Sequence, residues 1–144
     1  MRKKTLITII LLIFIIAACS IEEHLSFTNL EEAEKEIGEL KIPDMPEGFK
    51  VTKITHKNDD FTHPVTKVFY KKGEKEITYM IASSWFDDSP SEEVTSDKIA
   101  DISWITLKNE YVLKWRKTKQ DSYKYLFTTD LSDKGMLISL AESF

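Results

Sequence analysis

From Phe49 to Thr129 the chain is written largely in a period of two, and this limits its fold more than any other feature. "FKVTKITH" (49–56) reads as a strand. "VTKVFYKKGEKEITYMIAS" (65–83) reads as a hairpin: β-branched and aromatic residues flank a polar turn at Gly73, and Ile77, Tyr79 and Ile81 share one face. "SWFDDSPSEEVTSD" (84–97) is a polar, turn-rich loop with room for a short strand at its end. "DISWITLKNEYVLKW" (101–115) reads as a second hairpin around Lys108-Asn109. "SYKYLFTT" (122–129) is a last strand, with Tyr123, Tyr125 and Phe127 facing one way. Successive strands joined by short turns pair antiparallel.

Helical periods bracket the strands. Thr28 stands three residues before Glu31, the capping-box spacing, and Leu30, Ala33, Ile37 and Leu40 follow at helical intervals. This predicts a helix over about residues 29–40, stopped by Pro43 and Pro46. Near the other end Ser132 is positioned to cap a helix whose stripe is Met136, Leu137, Leu140, Ala141 and Phe144. The expectation is an α+β domain: a curved antiparallel sheet of five to seven strands with an N-terminal and a C-terminal helix packed on one face.

The first residues have a different purpose. Arg2-Lys3-Lys4 precedes an uncharged run from Thr5 to Ala18. Fourteen helical residues reach about 21 Å, short of the roughly 20 residues that a hydrocarbon core of about 30 Å requires. A positive start, an apolar middle and small residues at the end are the anatomy of a secretory signal peptide. Ile16-Ala17-Ala18-Cys19 resembles the bacterial lipobox. The resemblance implies a diacylglycerol thioether on the Cys19 sulfur and cleavage before Cys19, with residues 1–18 the signal peptide, 19–27 a lipidated tether and 28–144 a single extracytoplasmic domain. Two acyl chains make a durable anchor, since each buried CH₂ contributes about 0.8 kcal/mol. The expected location is the outer face of the cell membrane.

Cys19 is the one cysteine in 144 residues, so no disulfide forms within the chain and the domain depends on an ordinary core. Three of the 20 basic residues precede Cys19 and none of the 24 acidic ones does, so residues 19–144 carry a net charge of −7 with histidines neutral. That charge and the compartment both disfavour nucleic acid, and the charge also opposes anionic head groups.

The C-terminal third, "LKWRKTKQDSYKYLFTTDLSDKGMLISLAESF" (113–144), resembles the C-terminal signature of a domain of unknown function. That domain is common outside the membrane in Gram-positive, spore-forming bacteria. The residues that carry the resemblance are Leu113, Trp115, Tyr125 to Phe127 and Ala141-Glu142-Ser143-Phe144. "IPDMPEGFKV" (42–51) is similar to its opening strand, and the match spans residues 28–144. The family occurs on lipoproteins and on anti-sigma-factor-like membrane proteins, and is sometimes grouped with lipoprotein-carrier half-barrels that hold apolar ligands. It implies an interaction or sensing module without catalytic residues or cofactor.

Candidate chemistry is sparse. His56, Asp60 and His63, with Asp59 beside them, are ligand types that zinc accepts, but in no closed-site spacing. Asp87-Asp88 and Glu92-Glu93 lack the alternation of a calcium loop. No glycine-flanked nucleophile elbow accompanies the serines. The aromatics Trp104, Tyr111, Trp115, Tyr123, Tyr125 and Phe127 are expected to form core beneath the two helices, the alternative being a groove with an aromatic floor. Trp85-Phe86, in a polar loop, is the candidate partner contact, with plugging of the core as its alternative. Three functions follow, in order: a lipid-anchored binding or sensing module for an envelope protein or cell-wall component; a carrier of an apolar ligand; a metal-dependent hydrolase using His56, Asp60 and His63.

Overall fold

A computed structural model of the chain describes residues 23–58 and 63–144. Its elements are β1 (Glu23–Phe27), α1 (Leu30–Ile37), β2 (Lys50–Asn58), β3 (Val65–Lys72), β4 (Lys75–Ala82), β5 (Ser91–Glu93), β6 (Asp101–Thr106), β7 (Tyr111–Arg116), β8 (Tyr123–Thr128), a 3₁₀ turn (Leu131–Asp133) and α2 (Lys134–Ser143). The strands form one sheet in the order β1-β2-β3-β4-β8-β7-β6-β5, every pair antiparallel.

The sheet thus has eight strands among the described residues, where five to seven were expected. The additional strand is β1, inside the segment expected to be tether. Phe27 sits opposite Ile54 and Leu25 opposite His56, so pairing with β2 orders a segment with little apolar content of its own. The strand at the end of the 84–97 loop is β5, three exposed residues paired with β6. Its brevity and its two glutamates blunt that edge of the sheet.

Both helices start one or two residues from the expected caps. Asn29, not Thr28, caps α1: its side chain accepts from the Glu32 amide at 2.9 Å, while the Thr28 hydroxyl donates to the Glu32 carboxylate at 3.3 Å. Asparagine is among the strongest N-caps, which favours the shift. α1 ends earlier than expected, at Ile37, because Gly38 takes φ +84° and donates its amide to the Glu34 carbonyl. Ser132 does not cap the last helix: it lies in the 3₁₀ turn, whose cap Asp130 accepts from the Ser132 amide at 2.9 Å and its hydroxyl at 2.7 Å, and the N-cap position of α2 is Asp133, without a side-chain cap bond. Those hydrogen bonds hold the Asp130 carboxyl below its ordinary pKa. Asp133 then turns inward, accepting from Thr128 Oγ1 at 2.8 Å and from Lys75 Nζ at 2.6 Å, and ties the last helix to β8 and β4.

Alternation along the strands gives the sheet two apolar faces. Ile54, Val68, Tyr79, Leu113, Trp115 and Leu126 face Ala33 of α1 and Leu137, Leu140 and Ala141 of α2 in one buried cluster. The expected stripe of α2 is observed, with Met136 and Phe144 packed at its margin. Rings fill this layer: Tyr79 lies 6.2 Å from Trp115 and 5.7 Å from Phe144, and Trp104 stacks on Tyr111 at 5.8 Å.

Three polar atoms in the layer have no partner among the described residues: the Tyr70 and Tyr79 hydroxyls and Trp115 Nε1. Burial pushes both phenols well above their ordinary pKa. An unmet buried hydroxyl costs about 1–3 kcal/mol. Tyr79→Phe is therefore expected to raise folding stability by about 1 kcal/mol, seen as a higher urea midpoint. A lowered midpoint would show that the hydroxyl has a partner after all, such as a buried water.

Tyr123, Tyr125 and Phe127 do not lie beneath the helices. They share a face, as expected, but it is the opposite one, where Tyr125 and Phe127 are buried with Met80, Ala82, Ile105 and Val112. The cause is register: Leu126 of β8 pairs with Tyr79 and Leu113, so it takes the helix side and its neighbours take the other.

Candidate functional site

The second face is covered in part. Its cover is the start of the loop after β4, where Phe86 rests 6.3 Å from Tyr125 and 6.0 Å from Phe127. Phe86 takes φ +60°, unusual for a bulky residue, and its ring is half-buried. The loop is fastened twice more. The Tyr125 hydroxyl donates to the Trp85 carbonyl at 3.2 Å, and Lys114 Nζ meets the Asp87 carboxylate at 2.7 Å. Lys114 also lies over the Tyr123 ring at 4.1 Å, with Arg116 at 4.4 Å, while the Tyr123 hydroxyl donates to Asp101 at 2.9 Å. These contacts fix the backbone from which Trp85 projects, and its side chain stays 42% exposed.

The pair Trp85-Phe86 thus divides its roles. Phe86 plugs the second core, as the alternative reading had it, and Trp85 is an exposed large apolar side chain. Beside Trp85 lies an open groove of about 690 Å³. Its walls are β1 through His24, β2 through Thr55 and Lys57, β3 through Val65 and Lys67, with His63 just ahead of it, and the chain after β4 through Ser83 and Ser84. Sequence reasoning missed this groove. Its signal was the regular spacing of Lys53 and Lys57 in β2 and of Lys67 and Lys71 in β3, opposite in phase to Ile54, Val68 and Tyr70. Lys67 of β3 also attracts Glu110, in the turn before β7, opposing the burial that raises the Glu110 pKa above its ordinary value.

The proposed metal ligands do not converge among the described residues. The His56 ring lies on the helix side, with Nδ1 2.9 Å from Thr66 Oγ1, whereas His63 lines the groove on the other side. Asp59 and Asp60 lie outside the described residues, as does Cys19 with the whole segment 1–18. No three His, Cys, Asp or Glu side chains group as a metal site among the described residues. Of the acids weighed for calcium, Asp87 is held by Lys114 and Glu92 by Lys134 at 3.2 Å. No helix among the described residues is long and apolar enough to cross a membrane.

Comparison with protein families, with characterised proteins and with solved structures gave no match.

Proposed function

We propose that the protein is a lipid-anchored, non-enzymatic binding or sensing module at the extracytoplasmic face of the cell membrane, and that it engages its partner at the groove beside Trp85. The single observation that carries the binding site is the exposed Trp85 at the rim of that groove, its carbonyl accepting from the Tyr125 hydroxyl. A large exposed aromatic on a fixed backbone gives contact area at little entropic cost, which is how binding surfaces use tryptophan. The anchor rests on the lipobox-like Ile16-Ala17-Ala18-Cys19. The partner classes are an envelope protein or a cell-wall component.

A carrier of an apolar ligand needs room between sheet and helices. That layer is packed with Trp115, Tyr79 and Phe144, whose ring centroids are 5.7 to 6.3 Å apart, which favours the binding reading. The test is crosslinking in intact cells with a C-terminal tag, followed by mass spectrometry of the captured material. One specific envelope component is expected, and Trp85→Ala should reduce its recovery about tenfold, the effect of losing a central aromatic contact of about 1.4 kcal/mol. Equal recovery from both chains would remove Trp85 from the contact. Phe86 is left intact because its loss would open the second core.

A further inference from the structure

Charge is distributed unevenly across this sheet. On the side away from the helices, β2 presents Lys53 and Lys57, and β3 presents Lys67 and Lys71, by the alternation that sends Ile54, Val68 and Tyr70 to the helix side; Lys50 joins them, opposite Lys71, because a bulge between Val51 and Lys53 reverses the phase of β2. β4 adds one acid to this surface, Glu76, 3.4 Å from Lys71, and Glu110, ahead of β7, interacts with Lys67, so the lysines outnumber the acids here without being free of them. β1 adds His24 and Ser26. On the helix side of the same strands lies α1, which with the residue after Gly38 carries Glu31, Glu32, Glu34, Glu36 and Glu39. An acidic chain has thus gathered lysines on one surface, and that surface borders the groove and Trp85.

The second observation is where the chain enters. β1 begins at Glu23, four residues after Cys19, and its next residue, His24, lines the groove. Four residues span at most about 14 Å. Whatever holds Cys19 therefore holds the Lys57 end of the lysine-bearing surface close to itself, while Lys50 and Lys71 lie roughly 25 Å further along the strands.

We propose that the lysine-rich face of β2 and β3, bordered by Trp85, docks on the anionic phospholipid surface of the membrane that carries the Cys19 anchor. This rests on the lipid-anchored reading above. The complementarity is of charge and of depth: lysines meet the anionic head groups, and a tryptophan at the rim takes the interfacial position that its amphipathic ring prefers. The acidic helix side then points away from the bilayer, so a chain of net negative charge lies on a negative surface in one orientation. Docking turns a tethered domain into an oriented one and covers Trp85 with its groove, so membrane docking and engagement of the partner are alternative states of one face.

The test uses the full chain, lipidated at Cys19, reconstituted into vesicles with and without anionic phospholipid, the acyl chains brominated to quench tryptophan. Trp104 and Trp115 are 3% and 0% exposed, so Trp85 carries the signal, and Trp85→Phe supplies the background. Quenching of Trp85 is expected in anionic vesicles, with loss at high salt. Changing Lys50, Lys53 and Lys67 to Gln should weaken docking on the order of 100-fold, at about fivefold per lysine. The salt titration of the unaltered chain gives the same answer without any variant. A chain that stays with the vesicles but shows equal Trp85 quenching with and without anionic lipid overturns docking and leaves the anchor standing. Protection of Trp85 by soluble polyphosphate but not by anionic vesicles also overturns it, in favour of an anionic polymer. A Cys19 without a diacylglyceryl group by mass removes the anchor and docking together.

Discussion

Trp115→Ala is expected to lower folding stability by about 3–5 kcal/mol. Trp115 sits in β7, fully buried, at the centre of the helix-covered face. Tyr79 tilts against it from β4 at 38°, and Phe144 meets it edge-on at 87° from just past α2. Removing the indole leaves a cavity bounded by a sheet on one side and a helix end on the other, neither free to collapse. Domains of this size are stable by about 5–15 kcal/mol, so the variant approaches the threshold of unfolding. Urea titration of both chains measures the difference. A loss below about 1 kcal/mol would mean that Phe144 and Tyr79 close the gap, and that this layer is looser than its ring spacings indicate.

Cys19→Ala has an all-or-none expected effect, on covalent structure rather than on folding. With the thiol present, the proposed anchor predicts an intact mass lacking residues 1–18 and carrying a diacylglyceryl group. Without it, neither change occurs, because the thiolate is the nucleophile that takes the lipid. Intact-mass spectrometry of the membrane fraction decides this directly. Identical processing of both chains would end the lipobox reading, and with it the membrane-facing function proposed for the domain.

Much of the fold was legible because strand alternation is a local property. Ile77, Tyr79 and Ile81 predicted β4, and Tyr123, Tyr125 and Phe127 predicted β8, from spacing alone. Period two says which residues share a face, however, and not which face. Only the pairing of Leu126 with Tyr79 decided that the tyrosines of β8 would lie away from the helices. β1 was illegible for a related reason. "EHLSF" has two apolar residues, and its order comes from partners some thirty residues distant in β2. "SEE" in β5 has none. The site was readable at one residue: Trp85 stood out as apolar in a polar loop. The lysine surface beside it was spelled out in β2 and β3, but two strands must be set in register before alternate lysines become one patch.

The strand order carries a consequence for how the chain reaches its native state. Strands β1 to β4 neighbour one another in sequence order, and so do β5 to β8, so the sheet is two four-stranded meanders joined at the single seam β4–β8. Within each meander the pairings are between adjacent strands. The seam sets Ala82 against Tyr123 and closes a loop of about forty residues, with the larger entropic cost of loop closure. The meanders are therefore expected to form first and the seam to zip late. Ala82, buried and paired with Tyr123 across the seam but with no partner in β3, supplies the probe. In stopped-flow kinetics Ala82→Gly should speed unfolding and leave refolding nearly unchanged, whereas slowed refolding would put the seam in the nucleus. Late closure also means that, until the seam forms, β4 and β8 are open edges rich in aromatic and β-branched residues, and it is in that interval that the chain is most exposed to pairing with a neighbour.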